Sequence, residues 1–249
     1  MAHPGGTATS DPADLPPASR AAQRRLRHLQ DDIMDLILER DLDVGDPMPT
    51  ESELCRALGV GRNTVREALK VLQAFGVVEI RHGFGTFVAS TSFDALTASL
   101  TFRGRLSLRH GGREALELVD VRQALEAGLV GLAIDVITEA ELAELEACVR
   151  AMEDSAAQGR AFLEADQEFH RVLYGSLHND LLTSLLEVFW TAYGRIYREA
   201  SPSPADLVET AHDHRLILDA VRANDRQRAA ERLTVHFRGI REHLAHLGG

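Results

Sequence analysis

The chain has no apolar run long enough to cross a bilayer, and its first twenty residues, MAHPGGTATSDPADLPPASR, lack the apolar core of a secretory signal. A membrane role is therefore not expected, and a cytoplasmic protein is. Cysteine is scarce. Cys55 and Cys148 stand far apart without metal-binding or redox spacing, which excludes a disulfide scaffold and suits two small structural residues in a reducing compartment. Positive charge is also short, with 27 Lys and Arg against 38 Asp and Glu and a net charge of -11. A protein coated in basic surface is excluded, so any contact with nucleic acid must come from a local patch. No internal repeat is evident, and strand signals are absent from the C-terminal half.

What is present divides the chain in two. A hydrophobic fraction of 45% over 249 residues can bury two modest cores. Residues 1–20 are Gly, Pro, Ser and Ala without apolar periodicity and read as a disordered tail. Leu26, Leu29, Ile33, Leu36 and Ile37 then recur at helical spacing. Thr50 and Glu53 in PTESEL have the spacing of a capping box, which predicts a short helix over 51–58. LGVG breaks it, and a third helix over 62–75 carries Val65, Ala68, Leu69 and Leu72 on one side before Gly76 ends it. Two short strands, 77–81 and 86–88, flank the turn His82-Gly83-Phe84-Gly85. Helix, helix, turn, helix and hairpin make a winged helix-turn-helix over 21–90.

Residues 91–113 read as a junction, helical at FDALTASL and a basic connection at FRGRLSLRHGGR. From 114 to 249 the pattern is helical, with helices expected near 115–134, 138–156, 160–177, 179–199, 205–222 and 225–246. The expected fold is mainly α, a winged helix-turn-helix followed by a helical bundle able to host a ligand.

Arg62, Arg66 and Lys70 repeat at i, i+4 and i+8 on the third helix and share one face opposite its apolar stripe. A helix in the major groove reads base edges from its N-terminal turns. Arginine suits guanine there, while Asn63 and Thr64 suit adenine or phosphate. Arg81 and His82 at the hairpin are placed to reach backbone or minor groove.

In the bundle, Asp166 and His170 are four apart, the spacing by which one helix gives two ligands to one metal. His214 and His236 lie on two later helices that can point at the same site, whereas His178, His212 and His243 read as surface residues. Arg122 suits an organic carboxylate, or equally a salt bridge to Glu126 four residues on. Asn179, Tyr193 and Arg195 are further candidates to line that cavity. No H-E-x-x-H motif supplies the general base of a metal-dependent hydrolase.

The stretch PTESELCRALGVGRNTVREALKVLQAFGVVEIRHGFGTFVA resembles the winged helix-turn-helix of GntR-type bacterial repressors. That resemblance implies recognition-helix contacts at Arg62, Asn63, Thr64 and Arg66, with His82 and Gly83 at the wing. It also implies a homodimer on a palindromic double-stranded operator. Ser52 stands where the family usually has an arginine, and Gly61 where a small hydroxyl residue often caps the recognition helix. LVDVRQALE, DQEFHRVLYGSLHND, DHRLILDAVRANDRQRAAERL and the following His236 resemble the effector domain of the FCD subfamily of these regulators. Many of its members hold a divalent metal through one aspartate and three histidines, and Asp166, His170, His214 and His236 fall on those positions. Zinc or nickel suits this donor set. The expected function is a regulator whose operator affinity responds to a small organic or sugar acid near the metal. The alternatives are a regulator that senses the metal itself, or a metal-dependent hydrolase.

Overall fold

Helix α1, Pro17–Glu39, buries Leu29, Ile33, Leu36 and Ile37 along one side, in a computed structural model that describes residues 17–90, 92–200 and 203–247. The N-terminal tail read from the sequence lies outside those residues except for its last four, which form the first turn of α1. Two structural units divide at Ser92 and Phe93.

In the first unit the α1 stripe packs on α3. Helix α2, Glu51–Leu58, begins with the expected capping box: the Glu53 amide donates to Thr50 Oγ1 at 3.3 Å, and the Thr50 amide donates to Glu53 Oε2 at 2.8 Å. Helix α3, Arg62–Ala74, buries Val65, Ala68, Leu69 and Leu72, and its N-cap Gly61 contributes no side-chain hydrogen bond. Strands β1, Val78–Arg81, and β2, Gly85–Val88, pair antiparallel with Val78 opposite Val88 and Arg81 opposite Gly85. A third piece of extended chain joins them, for Met48 donates to the Thr86 carbonyl at 2.8 Å and Gly45 to that of Val88 at 2.9 Å. Two prolines, Pro47 and Pro49, conceal that edge from a sequence reading.

The second unit is helical throughout: α4 Asp94–Leu108, α5 Arg113–Val136, α6 Glu139–Ala157, α7 Leu163–Gly175, α8 Asp180–Ala200, α9 Pro204–Arg222 and α10 Arg226–Leu247. Helix α4 corrects the reading of FRGRLSL as a connection. The segment continues the helix because Gly104 lets its backbone approach α8, where a Cβ would stand 2.2 Å from Ile196 Cδ1. Helix α10 packs on α5 and α9, α4 on α8 and α5, and α6 on α7 and α9. Between them lies one apolar core containing Leu145, Met152, Phe169, Leu173, Leu186, Leu233 and Phe237. Into that core the bundle admits a group of polar side chains.

Gly76 ends α3 at φ +72°, and a Cβ there would lie 2.8 Å from the Ser92 carbonyl oxygen. Gly76→Ala should therefore cost about 1 to 3 kcal/mol in urea unfolding of the protein. An unchanged unfolding midpoint would show that neither backbone strain nor the close approach matters.

Candidate DNA-reading face and buried histidine cluster

Arg62, Asn63, Thr64, Arg66 and Lys70 are all exposed on α3, and His82 and Gly83 are exposed at the hairpin tip. The cation row is not bare. Arg66 Nε donates to both carboxylate oxygens of Glu51, at 2.9 and 2.8 Å, and Lys70 Nζ lies 3.1 Å from Glu67 Oε1. Arg62 Nη2 reaches Ser52 Oγ at 3.5 Å. These pairs are solvent-exposed, so each is worth little and a phosphate or base edge can replace the carboxylate at small cost. Arg81 is held by Glu79 at 2.8 Å and lies 4.3 Å from the centre of the Phe87 ring, which braces the wing. Of the two wing side chains considered for DNA, Arg81 has such partners and His82 has none among the described residues.

The second constellation is buried. Asp166 and His170 project from α7, His214 from α9 and His236 from α10, and one ligating atom from each lies within 4.8 Å of the others. Neither His170 nor His214 is exposed at all. Phe169 walls the group edge-on to both rings. His214 Nδ1 lies 2.8 Å from the Thr210 carbonyl oxygen, a contact that requires a proton on Nδ1. Its Nε2 is then turned inward, 3.2 Å from Asp166 Oδ2 and 3.4 Å from His170 Nε2. A bare imidazole lone pair facing a carboxylate oxygen and a second imidazole nitrogen is repulsive unless positive charge lies among them. His236 Nε2 is buried with no hydrogen-bond partner. One carboxylate and three imidazoles around an orphaned nitrogen fit a first-row divalent ion.

The local fields follow from burial and charge. Burial would raise the Asp166 carboxyl, but its contact with His214 and the nearby His170 and Arg122 hold it well below the ordinary carboxylate range. Burial pushes the His170 imidazole down, only partly offset by Glu126, and pushes His236 further down, with His214 adding to the effect. Both rings are therefore neutral, the form a metal binds.

Arg122 on α5 makes the salt bridge that the sequence offered as one of two readings. Its Nε donates to Glu126 Oε1 at 2.7 Å, so the salt bridge exists, yet its Nη2 is buried without a partner. The guanidinium sits between the rings of Tyr193 and Phe237, at 5.3 and 5.2 Å. Tyr193 is thus beside it. Two other expected lining residues are not: Asn179 is exposed and caps α8 by accepting from the Leu182 amide at 3.0 Å, and Arg195 is exposed on the outer side of α8. Of the histidines read as surface residues, His178 and His212 are exposed, while the side chain of His243 lies outside the described residues. Sequence reasoning missed Trp190 and the active part played by Glu126. Trp190 Nε1 donates to Glu126 Oε1 at 2.8 Å, and His170 Nδ1 lies 2.7 Å from Glu126 Oε2.

A winged helix-turn-helix followed by a helical bundle defines the class of DNA-binding regulators. Comparison with known proteins agrees: the gntR family of bacterial regulatory proteins matches residues 26–88, and the FCD domain matches residues 117–239. The chain belongs to the GntR-type transcriptional regulators with an FCD domain, which are not enzymes. It is 29% identical to the HTH-type transcriptional repressor NanR of Cronobacter sakazakii, over 88% of this chain and 85% of that one. It is 26% identical to the galactonate operon transcriptional repressor of Escherichia coli, over 73% and 80%. Among solved structures, Streptococcus agalactiae GntR superposes with a TM-score of 0.59 at 29% identity, over 87% of this chain and 99% of that one. No helix among the described residues is long and apolar enough to cross a membrane.

Acid should loosen the metal-free protein. In the fold His170 and His236 titrate below the ordinary value of 6.5, so between those pH values the unfolded chain binds more protons and stability rises with pH. The melting temperature of chelator-treated protein should accordingly fall as pH drops from 7.5 through 6.5 to 5.5. A flat or rising profile would mean that the two rings are not held neutral.

Proposed function

We propose that this regulator is a repressor that binds a palindromic operator as a homodimer, with the bundle holding a divalent metal on Asp166, His170, His214 and His236. Zinc and nickel are the ions that suit the donors. A small organic or sugar acid is the signal, gripped by Arg122 beside the ion, with Tyr193 against the guanidinium. The observation that carries this reading is the buried group Asp166, His170, His214 and His236, in which His236 Nε2 has no hydrogen-bond partner, together with the buried Arg122, whose Nη2 has none either. Arg122 is near enough for its charge to lower the Asp166 carboxyl, which supports the reading of an anion grip beside a cation site. When bound, the ion supplies a positive anchor to which a carboxylate oxygen can coordinate. A guanidinium fork matches the same group from the protein side. That one relative is named for the galactonate operon supports an acid as the signal class.

The dimer follows from the small size of one winged module, which offers few base and phosphate contacts, so two half-sites are needed for useful affinity. A second reading, in which the metal itself is the signal, draws support from the near-complete burial of the four ligands. Operator affinity measured with metal alone and with metal plus acid separates the two.

For the DNA face, Arg62→Ala should weaken operator binding by about 1 to 3 kcal/mol and relax base preference at one position of each half-site. Lys70→Ala should weaken all sequences alike. Unchanged gel-shift titrations for Arg62→Ala would remove α3 as the reading helix. For the interior, His214→Ala should lower metal content and melting temperature and abolish the acid response. Arg122→Lys keeps a cation for Glu126 but loses the fork, so metal content should survive while stabilisation by acids disappears. The assay is a thermal-shift screen of hydroxy and sugar acids, galactonate included, on metal-loaded protein. Wild-type protein that binds no divalent ion by elemental analysis would overturn the metal reading.

A further inference from the structure

Glu126 is fully buried on α5, and its carboxylate gathers three donors from three helices. Oε1 accepts from Arg122 Nε of its own helix at 2.7 Å and from Trp190 Nε1 of α8 at 2.8 Å. Oε2 stands 2.7 Å from His170 Nδ1 of α7. The backbone is tied down as well, since the Tyr174 hydroxyl donates to the Glu126 carbonyl at 3.0 Å. Glu126 Oε2 and His170 Nδ1 are both buried and neither makes a hydrogen bond of ordinary geometry among the described residues; at 2.7 Å each is the other's ion-pair partner. The Arg122 guanidinium pairs with this carboxylate at 2.7 Å, as an ionised partner requires. An ionised carboxylate only accepts.

We infer that Glu126 is the positioning residue of the metal site and the link between its two halves: it fixes His170 with the proton on Nδ1 and the Nε2 lone pair toward the ion, while its other oxygen holds Arg122 and Trp190. The inference rests on the proposed metal site. Its reasoning is electrostatic. A lone pair on Nδ1 at 2.7 Å from a carboxylate oxygen in a dry interior is repulsive, so the proton belongs on Nδ1 and Nε2 is left to coordinate. An ion on Nε2 withdraws electron density from the ring and makes Nδ1–H a stronger donor to Oε2. Negative charge on Glu126 then shifts away from Oε1, and the hold on Arg122 Nε and Trp190 Nε1 loosens. The effect is reciprocal: an acid that engages Arg122 leaves more of Glu126 to His170 and tightens the metal. Trp190 is the chain's single tryptophan. Its indole therefore reports occupancy through the same oxygen.

The discriminating variant is Glu126→Gln, nearly isosteric but carrying an amide that must turn an NH2 toward one side. Facing His170, that NH2 forces the proton to Nε2 and blocks the ligating position. Zinc affinity measured by chelator competition should fall about 10- to 100-fold, and the change in Trp190 fluorescence on adding zinc should be lost or strongly reduced. A merely structural Glu126 predicts a lower melting temperature with wild-type zinc affinity and an intact fluorescence response, and that outcome overturns the inference. Long-range 1H–15N spectra of the metal-free wild type give a test that needs neither the variant to fold nor the metal to bind. His170 should be in the Nδ1–H tautomer, and the Nε2–H tautomer overturns the inference. Wild-type protein that takes no zinc overturns the metal reading and the linkage with it, and the spectra then decide the tautomer alone.

Discussion

The second unit depends on an electrostatic constraint: three imidazoles and a carboxylate converge in a space that water does not share. Apolar burial closes the bundle around Phe169 and Phe237, but the same closure takes Asp166, His170, His214 and His236 out of water. Polar groups in such a place are costly unless satisfied. The structure satisfies the outer side of one ring, His214 Nδ1 by a helix carbonyl, sets Glu126 2.7 Å from His170 Nδ1, and brings the inner nitrogens of the two rings together. Removing positive charge from the centre leaves lone pairs opposed at 3.2 and 3.4 Å. The arrangement could hold a cation, and the binding of a metal there would be linked to folding.

Much of this was legible in the chain because the signals were local. The Thr50–Glu53 capping box, the glycine after α2 and the stripe Val65, Ala68, Leu69 and Leu72 determine helix ends and faces within a few residues, and each appears where its spacing implied. The i, i+4 pair Asp166 and His170 required only helical geometry to share a face, while bringing His214 and His236 to the same point required the fold. The misreadings have a common cause. Asn179 reads as a cavity-lining candidate, but its side chain answers a nearer demand, the free amide of Leu182. Helix α4 was cut short because Gly104 signals a break, whereas its missing side chain admits Ile196. Glu126 looked like an i+4 partner for Arg122 and is one. Its bonds to α7 and α8 span long sequence separations, which no periodicity encodes.

The DNA face shows how an acidic protein can own a basic patch without being governed by it. Glu51 and Glu67 sit beside Arg66 and Lys70, so the row is nearly neutral at contact distance when free. Ser52, where the family usually has an arginine, adds an acceptor within reach of Arg62 instead of a further cation. The two carboxylates lower the positive potential seen from afar, which weakens the sequence-independent attraction to phosphate. The base-edge contacts proposed for Arg62, Asn63 and Arg66 would be affected less, since a guanine edge within bonding distance can displace an exposed carboxylate at small cost. A face built in this way trades general adhesion to DNA for dependence on fit.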